Sequence, residues 1–167
     1  ASASCREDGT LTSFHFDGDF NTGAYASWGP TVADRVPIHC SGPYFVPNIL
    51  AKTRALLTNG PPSGAFRGFG AGQVSWAVEV QMDKIAEKLG LDPLEIRMKN
   101  LLQEGDINAL GERVYPVDYK GLLKEVGLTL EMQRGDGKTR NGPWLRGKGI
   151  AIAHKWSFVL FKSEFKL

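Results

Sequence analysis

Residues 58–73 read TNGPPSGAFRGFGAGQ, with glycine at positions 60, 64, 68, 70 and 72 and proline at 61 and 62. A run so rich in glycine and proline builds neither a helix nor a central strand; it is a loop whose backbone can approach another group closely. Immediately after it, Val74, Val78, Met82, Ile85, Ala86 and Leu89 recur at helical spacing. Glu79, Asp83, Lys84, Glu87 and Lys88 fall on the other side, which is expected to face solvent. Gly90 supplies a stop, and Lys88 suits the negative end of the helix dipole. A glycine loop that runs into a helix start gathers unbonded N–H groups and positive potential in one place. Arg67 adds a planar fork of donors, and Phe66 and Phe69 add two flat rings. The same letters also fit a plain turn with two core phenylalanines and a surface arginine.

Elements on either side define an α+β chain. Asp8-Gly9 is a hairpin signal, and residues 10–16 alternate with a period of two up to Asp17-Gly18, which is expected to end the strand. Residues 21–30 read as loop, residues 34–40 support no firm element, and Gly42–Pro47 reads as extended. A second helix starts with Asp92 as cap, Pro93 in the first turn and Glu95 three after the cap. Its apolar stripe is Leu94, Met98, Leu101 and Leu102, and Gly105 is expected to end it. A shorter helix starts at Asp118, with Tyr119, Leu122, Leu123 and Val126 on one face and Gly127 after it. Residues 136–149 read as a Gly- and Arg-rich loop, and Trp156–Phe161 as a C-terminal strand. The expected division is a strand and loop region at 1–57, a glycine-rich loop at 58–73, a helical region at 74–126, and loop plus strand at 127–167.

Composition removes several functions. The chain has 167 residues, 18.3 kDa and a net charge of +2, so it carries no basic field for nucleic acid. Arg67-Gly68-Phe69-Gly70 copies the opening of an RNA-binding signature, but Ala71 stands where its next aromatic belongs and a helix follows where a strand is needed. Neither GxGxxG nor GxxxxGK[ST] occurs. No apolar run reaches the length of a membrane span, and no secretory leader is visible, which suggests a cytoplasmic protein. Cys5 and Cys40 form no metal motif, although one bridge between them is conceivable. His15, His39 and His154 have no ligand spacing.

Four stretches together resemble one family. They are GAYASWGPTVADR at 23–35, GPYFVPN at 42–48, LLTNGPPSGAFRGFGAGQ at 56–73, and EVQMDKIAEKLGLDPLEIRMKNLLQEGD at 79–106. They resemble the molybdenum-binding subunit of xanthine dehydrogenases and aldehyde oxidases, nearest to the bacterial branch that hydroxylates purines and N-heterocycles. The similarity is strong from Gly23 to Asp106 and weaker to about Gly149. One departure is Gly72, where the family usually has proline.

The resemblance implies part of a molybdopterin-binding domain in a molybdenum hydroxylase. Such an enzyme inserts a water-derived oxygen into a heteroaromatic C–H bond or an aldehyde. Its electrons leave through [2Fe-2S] clusters and usually FAD on partner domains or subunits. By the same resemblance, Phe66, Arg67 and Gly68 lie against the molybdopterin-type cofactor, Phe69 stacks on a flat substrate, and Arg35 orients it. Arg35 stands nine residues before Tyr44, the spacing of that arginine in xanthine-oxidising members. The family's GGFGGK loop, its pterin-gripping GQG loop and its GxGE general base do not occur here. The chain thus reads as an internal piece without a catalytic base or metal ligands of its own, inactive alone and completed by the rest of the molybdenum subunit. The alternative is a structural or interaction module that kept the shape and lost the cofactor.

Overall fold

The computed structural model describes residues 1–129 and 138–155. Strands β1 (Ser2–Cys5) and β2 (Leu11–Gly23) pair antiparallel across the expected turn. There Asp8 accepts the backbone N–H of Thr10 at 3.0 Å and an ion pair from Lys99 at 2.9 Å. These partners, the Thr10 N–H first, hold the Asp8 carboxyl far below its usual range. A third strand, β3 (Asn48–Leu57), runs parallel to β2 from Ser13↔Asn48 to Gly23↔Leu57. Parallel neighbours need a crossover, and helix α1 (Gly29–His39) supplies it.

Several expectations change here. Strand β2 passes through Asp17-Gly18 instead of ending there. Asp17 is paired with Arg54 on β3, and a Cβ at Gly18 would sit 2.7 Å from the Phe16 ring, so this glycine makes room for a packed aromatic. Strand β3 has no sequence counterpart, because NILAKTRALL lies at the sheet margin and its apolar letters do not alternate cleanly. Helix α1 occupies residues read as loop or left undefined. Pro30 sits in its first turn, where a missing N–H costs nothing, and Pro37 falls near its end.

Helix α2 (Ala71–Leu89) carries the expected stripe, with Val74, Val78, Met82, Ile85 and Ala86 buried against Phe14, Phe16 and Val36. Helix α3 (Pro93–Asn100) is capped by Asp92, whose Oδ1 accepts from the N–H groups of Leu94 and Glu95. It stops at Asn100 rather than Gly105, because Leu101 turns extended and bridges to Tyr44. Helix α4 (Tyr119–Thr129) runs past Gly127 and buries Leu123, while Leu122 and Val126 face outward, contrary to the expected stripe. The expected loop at 136–149 contains a hairpin, β4 (Lys138–Asn141) with β5 (Trp144–Gly147). The strand expected at Trp156–Phe161 lies outside the described residues. Cys5 and Cys40 are both free thiols, and burial pushes that of Cys40 up to about 11.

The layers are therefore a three-stranded sheet in the order β1-β2-β3, then α1 and α2 packed together on it, then α3 and α4 beyond α2. This brings the start of α2, and the glycine loop before it, to the end of β2 and to α1.

Candidate functional site

The glycine loop is clamped at its base and open at its tip. Gly23 and Ala24 hold it from the side of β2: Thr58 N–H donates to the Gly23 carbonyl and Ala24 N–H to the Gly60 carbonyl, both at 3.0 Å. Ser63 N–H donates to the Thr22 carbonyl at 3.0 Å. Gly23 itself has φ +72°, and a Cβ there would collide with the Pro61 carbonyl, so only glycine fits this crossing.

At the far end of the loop, Gly68, Phe69 and Gly70 all have positive φ, at +83°, +48° and +84°. Positive φ is uncommon for a phenylalanine and costs on the order of 1–3 kcal/mol. Two contacts hold it. The Phe69 ring meets Trp28 edge to face, with centroids 5.8 Å apart and planes at 84°. Gly70 lies against α1 so tightly that a Cβ would come within 2.8 Å of the Val32 carbonyl.

Between these anchors the tip is bare. Phe66 is completely solvent-exposed, at 102% of its reference area, and Arg67 is exposed beside it. Among the described residues, the backbone N–H groups of residues 64–70 donate to no acceptor within the chain. A Cβ on Gly68 would meet only the Gly72 nitrogen, 3.8 Å away. Beyond the tip, α2 opens with no side-chain cap and no acidic residue in its first turn, leaving its positive end uncompensated by the described residues. Exposed donors, a guanidinium and a bare helix start suit an anionic, oxygen- or sulfur-rich group.

Behind the site lies a buried polar network that the sequence reading missed. Arg97 is fully buried. Its Nε donates to Glu79 Oε2 at 2.8 Å, one terminal nitrogen donates to Asp83 Oδ1 at 2.7 Å and to the Glu79 carbonyl at 3.3 Å, and the other donates to the Pro93 carbonyl at 2.9 Å. Tyr44 Oη donates to Glu79 Oε1 at 2.5 Å, and Ile152 N–H donates to Oε2 at 3.2 Å. Glu79 is thus buried rather than solvent-facing as expected, because three donors compensate its charge. Burial, then the adjacent carboxylate, pushes the Tyr44 hydroxyl far above its usual range. Burial opposes the Arg97 charge, yet Glu79, Tyr44 and Asp83 together raise its pKa. A charged letter one position from an apolar stripe, with an arginine eighteen residues on, is too common a pattern to have announced this.

The first 101 residues match the molybdopterin cofactor-binding domain family. The chain belongs to this family. It is 46% identical over 106 residues to the nicotinate dehydrogenase large molybdopterin subunit of Eubacterium barkeri, covering 64% of this chain and 25% of that protein. It is 37% identical over 147 residues to the xanthine dehydrogenase molybdenum-binding subunit of Escherichia coli O157:H7, covering 86% and 20%. Its fold matches the aldehyde oxidoreductase of Desulfovibrio gigas with a TM-score of 0.73 and 33% identity, over 77% of this chain and 14% of that one. The chain spans a quarter or less of the length of each of these relatives. Its relatives are molybdopterin-dependent oxidoreductases, and among its described residues no helix is long and apolar enough to cross a membrane.

In this molybdopterin-domain chain, Phe66, Arg67, Gly68 and Phe69 share one loop, as contiguity requires. Arg35 is half-buried on α1, one residue before Val36, whose side chain a Cβ on Gly70 would touch. Its carbonyl lies 2.9 Å from His39 Nδ1. The ring partner of Phe69 is Trp28, a contact that joins residues 41 positions apart and leaves no periodic trace in the sequence. Among the described residues there is no cluster of three His, Cys, Asp or Glu able to hold a metal ion.

Proposed function

We propose that this chain supplies one wall of the cofactor site in a molybdenum hydroxylase acting on purines, other N-heterocycles or aldehydes, with water as the oxygen source. The observation that carries this reading is the loop tip, where residues 64–70 offer backbone N–H groups without internal acceptors beside an exposed Arg67. That donor set fits a molybdopterin-type cofactor, whose metal would be held by the pterin sulfurs and therefore needs no protein ligand cluster. When bound, that group supplies the two-electron oxidation of the substrate carbon.

The chain's own residues then have distinct tasks. The backbone at Phe66, Arg67 and Gly68 binds the anionic face of the cofactor, and Arg67 fixes it through charge-assisted hydrogen bonds. Phe69, held upright by Trp28, presents a ring on which a flat substrate lies, fixing its plane without demanding particular hydrogen bonds. Arg35 orients polar ring substituents from α1. The general base, the iron–sulfur clusters and FAD belong to other parts of the molybdenum subunit or to partner subunits. The isolated chain is accordingly inactive, and the assembled enzyme is cytoplasmic.

The test is Phe69→Ala against Arg67→Ala in the assembled enzyme, with molybdenum content measured in parallel. Phe69→Ala lowers kcat/KM for a purine more than for a small aldehyde, because lost orientation of a ring can cost ~100-fold in rate. Arg67→Ala lowers both substrates alike and reduces molybdenum content. Equal losses on both substrates in Phe69→Ala at full molybdenum would mean that Phe69 only anchors the loop.

A further inference from the structure

The Phe69 ring has a neighbour whose place is set independently of it. Trp28 is the N-cap of α1, and its carbonyl accepts the Val32 N–H at 3.0 Å. The next residue, Gly29, lies so close to β2 that a Cβ there would collide with the Thr22 side chain. On its other side Trp28 touches the glycine loop: a Cβ at Gly64 would stand 3.2 Å from the Trp28 nitrogen and 3.3 Å from the Trp28 Cβ. Helix, sheet and loop thus fix the root of the indole, and a side chain rooted on a rigid element shapes a site more precisely than one on a loop. The indole meets Phe69 at 5.8 Å between centroids and 84° between planes. Two flat rings at nearly a right angle form a corner.

We propose that Trp28 is a specificity-determining wall: its indole face flanks the ring stacked on Phe69 and excludes heterocycles that carry fused rings on both flanks of the ring that reacts. This rests on the stacking role proposed for Phe69 above. A substrate ring that lies on a face of Phe69 needs that face open, which leaves the Phe69 rim to meet the indole. With the centroids 5.8 Å apart, a ring centred over Phe69 then lies alongside the indole, and a further fused ring fits only on the side away from it.

Two probes separate by this rule. Purine is fused on one flank, so it can be turned to keep its second ring clear of the wall. Phenanthridine has its reactive C–H, beside the nitrogen, in the middle ring of three, and it presents a fused ring toward the indole whichever way it is turned. A clash built against the wrong substrate discriminates as well as a contact made with the right one. A residue that only steadied Phe69 would instead serve all flat rings alike.

The experiment uses the assembled enzyme, as wild type and with Trp28→Ala or Trp28→Phe, and measures kcat and KM for purine and phenanthridine per bound molybdenum. The wild type should oxidise purine far better than phenanthridine. Trp28→Ala should raise the phenanthridine-to-purine ratio of kcat/KM by at least about 10-fold, the scale on which a single steric group in a pocket discriminates. Trp28→Phe keeps a ring beside Phe69 while drawing the wall back, and should raise the ratio by less. Trp28 is 55% exposed, so neither change opens the core. A ratio that Trp28→Ala leaves unmoved overturns the wall and leaves the proposed function standing. So does a wild type that oxidises phenanthridine as readily as purine, or one that oxidises aldehydes alone. A wild type that carries no molybdenum, or oxidises neither heterocycles nor aldehydes, overturns the proposed function and the wall with it.

Discussion

Arg97 and its partner Glu79 tie four segments of this chain together. Arg97 reaches Glu79 and Asp83 on α2 and the Pro93 carbonyl on its own helix, while Glu79 in turn takes Tyr44 and the Ile152 N–H. Removing one partner strands a buried charge, which costs about 3–5 kcal/mol. Arg97→Met should therefore lower unfolding free energy by that amount in urea titration, and Arg97→Lys should recover only part, since an ammonium cannot reproduce the fork. A second residue-scale effect concerns pH. Burial keeps His39 and His154 below the ordinary histidine pKa of 6.5. The unfolded chain then takes up protons before the folded one does, so stability is full above about pH 6.5 and falls as pH drops through the folded values. Thermal unfolding midpoints should decline between about pH 7.5 and 5.5, and His39→Gln should flatten that decline. At Gly72 the prediction has the opposite sign. Its N–H lies in the first turn of α2 and has no acceptor among the described residues, a Cβ there meets nothing within 4 Å, and its φ is not positive. Gly72→Pro should be accommodated and raise stability by about 0.4–1 kcal/mol, measured by denaturant midpoint.

Among the elements, α2 is the one on which the loop and the core both depend. Its buried face packs on Phe14, Phe16 and Val36, and its N-terminus carries the loop tip. Met82 is 1% exposed, so Met82→Ala should cost about 2–5 kcal/mol in equilibrium unfolding. The loop tip should respond to a different change. Trp28→Ala removes the edge-to-face partner that holds Phe69 at φ +48°, a contact worth about 0.5–1.5 kcal/mol beyond burial. Global stability should fall little, whereas amide exchange at residues 66–70 should quicken. These two helical features differ in how readable they were. The stripe of α2 is written at a fixed period and is found by counting. The strained loop end is written as glycines at 68 and 70, which signal unusual backbone but not the partner that fixes it. Helix α1 escaped because Pro30 and Pro37 look like breakers, although the first sits where a helix tolerates proline and the second near its end.

For the whole molecule, the sheet determines where the site sits. The parallel β2–α1–β3 crossover joins the loop base to Thr22–Ala24 at the end of β2, while Trp28 at the start of α1 meets Phe69 and Val32 and Val36 of α1 lie against Gly70. Under the proposed reading, in which this chain supplies only one wall of the cofactor site, metal analysis of the isolated 167-residue chain should find no stoichiometric molybdenum. The sequence by itself determined the glycine loop, the α2 stripe, the Asp92 cap and the family, because each is a local pattern of letters set by backbone freedom, helical period or contiguous motif. Only the tertiary structure decided that Glu79 is inside, that β3 lies parallel to β2, and that Trp28 props Phe69. Each of those depends on residues far apart in sequence, where the energy comes from a partner that no local window contains.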